Sequence, residues 1–69
     1  MNPQKKSIEI TGRLLCPMAV GAAAFIAEPE GMRRTSTVLH VEQISANEVC
    51  FETRNTNYRL HLEGQEVPA

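Results

Sequence analysis

The stretch RTSTVLHVEQISANEVCFETRNTNYRLHL, residues 34–62, decides the fold. Near its end Val49, Phe51 and Thr53 alternate with Cys50, Glu52 and Arg54, and Tyr58, Leu60 and Leu62 then alternate with Arg59 and His61. A period of two on both sides of a polar RNT segment predicts a β-hairpin. A two-residue loop at Asn55-Thr56, or a four-residue loop over 54–57, gives one register: Thr53 opposite Tyr58, Phe51 opposite Leu60 and Val49 opposite Leu62. The other face then sets Glu52 against Arg59, a cross-strand charge pair. A three-residue loop would oppose Glu52 to Leu60 and turn an apolar set toward water, so it is rejected.

Upstream, residues 32–44 read as a long strand whose Arg34-Thr35-Ser36-Thr37 segment bends or bulges, and residues 45–48 return the chain. Pairing Val41 with Phe51 and Leu39 with Thr53 keeps like faces together, with Ile44 left to cover the barrel end. A first strand is expected over 7–15, with Ile8, Ile10 and Leu14 on one face. Gly12 falls on that apolar face, where a strand glycine marks a bulge or bend that lets one strand serve two sides of a barrel. Pro17 ends this strand. Residues 22–27 are rich in alanine, yet the run is short and leads directly into Glu28-Pro29-Glu30-Gly31, a turn sequence. A strand is favoured there over a short helix.

The chain has 69 residues and a net charge of −1, which predicts one small domain over 1–69 with flexible tails at 1–6 and 64–69. A homo-oligomer is compatible with so small a core. The charge balance offers no general pull toward nucleic acid or an acidic membrane. Two cysteines are too few for a secreted disulfide framework, and no apolar run approaches the roughly 20 residues of a membrane span. The N-terminus lacks the apolar core of a signal peptide. A cytoplasmic protein is the expectation.

About five short strands with one buried face cannot remain a flat sheet. The expected fold is all-β, a small five-stranded antiparallel SH3-like barrel, partly open, with an OB-type barrel second. Its core is expected to hold Ile8, Ile10, Ile26, Leu39, Val41, Val49, Phe51, Leu60 and Leu62.

Arg34-Thr35-Ser36 with Val38, then Phe51-Glu52-Thr53-Arg54-Asn55-Thr56 with Tyr58, resembles the signature of short, uncharacterised bacterial proteins of the kind found with mobile elements. The resemblance covers residues 33–60. It implies a stand-alone small β protein and carries no catalytic residue.

Chemistry therefore has to come from the outward sheet face. The expected registers put His40, Glu52 and Arg59 in one row and Glu42, Cys50 and His61 in the next, with Arg34 and Arg54 at the margin able to make bidentate contacts to carboxylate or phosphate. The plain alternative is a solvated sheet face held by cross-strand pairs. Cys50, His61 and Glu42 have the residue types of a nucleophile, a base and an orienting group, but a flat face supplies no oxyanion hole. Cys50, His40 and His61 lie in one plane without metal-ligand spacing, and no cofactor is expected. Cys16 reads as a small apolar filler. These residues point to a non-catalytic protein-binding module, a regulator or inhibitor that docks by Arg34, His40, Glu52, Arg54, Arg59 and His61 or adds an edge strand to a partner. The alternative is a small nucleic-acid-binding barrel using Arg33, Arg34, Arg54 and Arg59, against which stand the net acidity and the few aromatic residues.

Overall fold

In the computed structural model, which describes residues 5–63, the chain forms five strands: β1 (Lys6–Leu14), β2 (Ala23–Glu28), β3 (Gly31–Ser45), β4 (Glu48–Thr53) and β5 (Thr56–Leu62). The alanine-rich segment is strand, as expected, and it turns into β3 through Pro29 and a Gly31 at φ +141°. The expected tails fall mainly on residues 1–4 and 64–69, outside the described residues. Lys6 already belongs to β1, and Lys5 bonds the Glu52 carboxylate at 2.7 Å and the Thr53 carbonyl at 2.6 Å.

The strands form a small SH3-like barrel, and its closure differs in detail from the antiparallel, partly open form expected. All four successive pairings are antiparallel, but β1 and β5 pair in parallel and close the barrel. The reason is topological. Each hairpin reverses the chain, so the fifth strand of a meander runs in the direction of the first, and the two can only join in parallel. β1 accomplishes this by serving two sheets: Lys6 to Gly12 pair with Thr56 to Leu62 of β5, and Arg13 and Leu14 then pair with Ala27 and Ile26 of β2. Gly12 is the pivot that its place in the sequence suggested.

The terminal hairpin keeps its faces but not its expected register. Phe51 pairs with Tyr58, Val49 with Leu60, Cys50 with Arg59 and Glu52 with Asn57, a shift of two residues. Thr53 explains it. Its hydroxyl accepts the Thr56 N–H at 3.1 Å and donates to the Thr56 carbonyl at 3.1 Å, which closes the turn around Arg54-Asn55 instead of Asn55-Thr56. The shifted register also stacks Phe51 on Tyr58, with ring centroids 4.8 Å apart and planes 15° from parallel. Such a pair adds about 0.5–1.5 kcal/mol beyond its buried area.

The β3–β4 register is as expected at Val41↔Phe51 and fails at Leu39. A bulge between Val38 and His40 opposes Val38 to Thr53, so Val38 is fully buried and Leu39 is 45% exposed. The extra residue of a bulge is displaced from the pleat, which reverses inside and outside along the rest of the strand. Ile44 likewise lies exposed after a second irregularity at Gln43 to Ser45, and does not cap the barrel. Farther up β3 the hydroxyl-rich segment does bulge, and Thr35 Oγ1 accepts the Ala24 N–H at 2.9 Å.

The core comprises Ile10, Ala24, Ile26, Val38, Val49, Phe51, Tyr58 and Leu60, with Ile8, Leu14, Met18, Val41 and Leu62 packed against it in part. Cys16 is exposed in the turn beyond β1 and fills nothing.

Candidate functional site

Register alone sorts the outward side chains into two faces of opposite character. On the β1–β5–β4–β3 sheet the rows are Ser7–Asn57–Glu52–His40, in which Asn57 is buried, then Glu9–Arg59–Cys50–Glu42, then Thr11–His61–Glu48–Ser45. His40 and Glu52 stand side by side as the sequence suggested, whereas Arg59 has moved one row away from Glu52. It bonds Glu48 instead. Lys5 takes the Glu52 carboxylate, and His61 Nε2 meets Glu9.

Three of the six expected contact residues are thus engaged inside the chain. The hydrogen bond and charge of His61 hold the Glu9 carboxyl below its ordinary value, and the Lys5 hydrogen bond does the same for Glu52, with a smaller contribution from His40. The Glu48 hydrogen bond raises the Arg59 guanidinium above its ordinary value. Cys50 lies between Glu42 and Arg59, and His61 is in the neighbouring row on Glu9, so the side chains that would serve as nucleophile and base are not joined by a hydrogen bond. Among the described residues no group of three or more acidic, histidine or cysteine side chains converges as a metal site.

Arg34 lies elsewhere. It is on the outer face of the β1–β2–β3 sheet, where the rows are Arg13–Ala27–Met32 and Leu15–Phe25–Arg34. Leu15 is held in its row by donating its N–H to the Phe25 carbonyl at 2.9 Å. The Arg34 guanidinium sits 5.9 Å above the Phe25 ring, within cation–π range. Around the half-buried Phe25, Leu15 is 54% and Met32 64% exposed. Neither Arg13 nor Arg34 has a carboxylate partner among the described residues, whereas Lys5, Arg33 and Arg59 all do. This face combines apolar surface with uncompensated positive charge.

Sequence reasoning missed Arg13, Leu15 and Met32 as neighbours of Arg34. The signal was present in the alternation of Arg13 with Leu14 and of Phe25 with Ile26, but it required the β1–β2 register. The four arginines of the alternative nucleic-acid reading do not form a stripe: Arg33 bonds Glu28 at 2.7 Å, Arg34 covers Phe25, Arg54 is exposed at the hairpin turn and Arg59 bonds Glu48. No helix among the described residues is long and apolar enough to cross a membrane. In comparisons with known proteins the chain matches no family model, no curated protein and no solved structure.

Proposed function

We propose that this protein is a non-catalytic binding module of the cytoplasm that regulates a partner protein by docking on it through the outer face of the β1–β2–β3 sheet. The observation that carries this reading is the pairing of rows Arg13–Ala27–Met32 and Leu15–Phe25–Arg34, an apolar centre bordered by two arginines without carboxylate partners among the described residues. Arginine and aromatic side chains are enriched at interface hot spots, and contiguous exposed apolar surface marks interaction sites. The partner that fits is a protein surface with apolar side chains flanked by carboxylates. A second copy of the chain fits poorly, because a face meeting itself brings arginines against arginines. The face of β1, β5, β4 and β3 is read as solvated sheet, since Lys5–Glu52, Arg59–Glu48 and His61–Glu9 already pair most of its charges. Two cysteines outside any disulfide agree with a reducing compartment.

The test places a photo-crosslinking residue at Met32 or, separately, at Glu42 on the opposite sheet, identifies what each captures in cells, and measures binding with the purified partner. Crosslinks from position 32 to an acidic surface, with affinity reduced at least tenfold by Arg34→Glu and unchanged by Arg59→Ala, support the proposal. Loss of affinity with Arg59→Ala alone would move the contact to the ion-paired face. Sub-micromolar, salt-dependent binding of an oligonucleotide would replace the reading with nucleic-acid recognition.

A further inference from the structure

β1 changes partners at Gly12, and the strand before this point has a second edge that no strand among the described residues covers. The direction of its amides follows from one bond: Glu63 donates its N–H to the Gly12 carbonyl, so Gly12 points its backbone toward β5. Successive residues of a strand point their N–H and C=O groups to opposite sides, so Ile8 and Ile10 also face β5 while Ser7, Glu9 and Thr11 face away. Arg13 and Leu15 continue that outward series and are met by β2 at Ala27 and Phe25. Continuing the same register would oppose Thr11 to Pro29. Proline has no N–H and starts the turn to β3, so β2 stops there. The outward backbone groups of Ser7, Glu9 and Thr11 have no ladder partner among the described residues.

The edge opens into a cleft of about 380 Å³ lined by Glu9, Ile10, Thr11, Glu28, Pro29, Glu30 and Arg33. Arg33 is bonded to Glu28 and His61 meets Glu9, while Glu30 has no cation partner among the described residues, so the three lining carboxylates outnumber the one lining cation. On the barrel side the half-buried Ile8 and the buried Ile10 flank the edge; on the solvent side stand the exposed Glu9 and Thr11.

We propose that the β1 edge at Ser7, Glu9 and Thr11 is a second binding site, which takes an extended peptide segment of alternating apolar and basic residues as an added strand. These outward amides, without a ladder partner among the described residues, supply main-chain hydrogen bonds, the usual source of affinity in strand addition. Side chains alternate across the pleat, so every second residue of the segment lies toward Ile8 and Ile10 and must be apolar. The residues between them lie beside Glu30 and beside Glu9, whose pair with His61 is exposed and open to a second cation, and favour lysine or arginine. This site is separate from the Phe25 and Arg34 face, and the opposite signs of their charge select different partners.

The probe is a capped six-residue peptide of alternating valine and lysine, N-methylated on alternate residues so that it offers one hydrogen-bonding edge and cannot stack on itself. Titration into the isotope-labelled full chain should shift the amide signals of Ser7, Glu9 and Thr11 saturably. The same peptide with glutamate for lysine should bind at least tenfold more weakly. Thr11→Pro removes one outward N–H and no β1–β5 bond, and should weaken the valine–lysine peptide at least tenfold. If that variant loses its folded spectrum, Glu9→Lys with Glu30→Lys serves instead and should reverse the preference between the peptides. Arg34→Glu should leave peptide binding unchanged, which separates this site from the docking face. Equal binding of both peptides, shifts centred on Phe25 and Met32, or no saturable shift at millimolar peptide would overturn the proposal.

Discussion

Gly12 lies so close to Ala27 that a Cβ on the glycine would stand 2.6 Å from the Ala27 carbonyl oxygen and 2.8 Å from Cγ2 of Ile26. The first atom is backbone and the second belongs to a fully buried side chain, so neither can give way freely. This contact is where β1 leaves β5 for β2, and it sets the distance between the two sheets. Gly12→Ala is therefore expected to destabilise the fold by about 1–3 kcal/mol, the usual cost of forcing extra volume into a packed site. Urea denaturation would measure it, and a midpoint equal to that of the unchanged chain would show that the strands separate without strain.

Phe51 and Tyr58 form the centre of the terminal hairpin. Truncating the fully buried Phe51 to alanine should cost about 3–5 kcal/mol. In a double-mutant cycle with Tyr58→Leu, the stacked rings should show a coupling of about 0.5–1.5 kcal/mol. Zero coupling would fit the register shifted by two, in which Phe51 faces Leu60.

Thr53→Val keeps the shape of a fully buried side chain and removes both bonds to Thr56. The stranded Thr56 N–H and C=O make a loss of about 1–3 kcal/mol the expected result in thermal or chemical denaturation. Thr56→Ser, which keeps both backbone groups, should change stability much less.

The bulge on β3 is tested by two neighbours. Leu39→Ser alters an exposed side chain and should stay within about 0.5 kcal/mol, whereas Val38→Ala empties a fully buried position and should cost roughly 2 kcal/mol. The opposite order would place Leu39 inside the barrel.

Lys5 sets the acid behaviour of the N-terminal end. Its hydrogen bond holds the folded-state carboxyl of Glu52 below the ordinary value of 4.5. A lowered folded value means that the unfolded chain binds more protons in this range, so stability is fully present above 4.5 and falls as pH drops through the folded value. In urea titrations at successive pH values, Glu52→Gln should lose stability less steeply below 4.5 than the unchanged chain. Identical slopes would show that the pair contributes nothing on folding.

What the sequence by itself determined was the parity of each strand. Alternation is a local property, and it assigned Val49, Phe51, Tyr58 and Leu60 to one side and Glu52, Arg59 and His61 to the other without reference to any neighbour. Pro29 and Gly31 likewise marked their own turn. Register was only half legible. Shifting the terminal hairpin by two residues preserves every face, so no apolar count separates Glu52↔Arg59 from the observed Glu52↔Asn57; the Thr53 hydroxyl and the Phe51–Tyr58 stack decide between them. Adjacency in the polar patch was correspondingly partial, with His40 beside Glu52 foreseen and Arg59 on Glu48 not. The bulge that buries Val38 and exposes Leu39 reverses parity within a strand, which a regular pattern cannot express. Tertiary structure alone brought Arg13, Leu15, Phe25, Met32 and Arg34 onto one face, because the short β1–β2 pairing depends on how closely Gly12 approaches Ala27. The edge at Ser7, Glu9 and Thr11, uncovered among the described residues, has the same origin: β1 turns from one sheet to the other at Gly12, and β2 ends at Glu28, before Pro29, and does not follow.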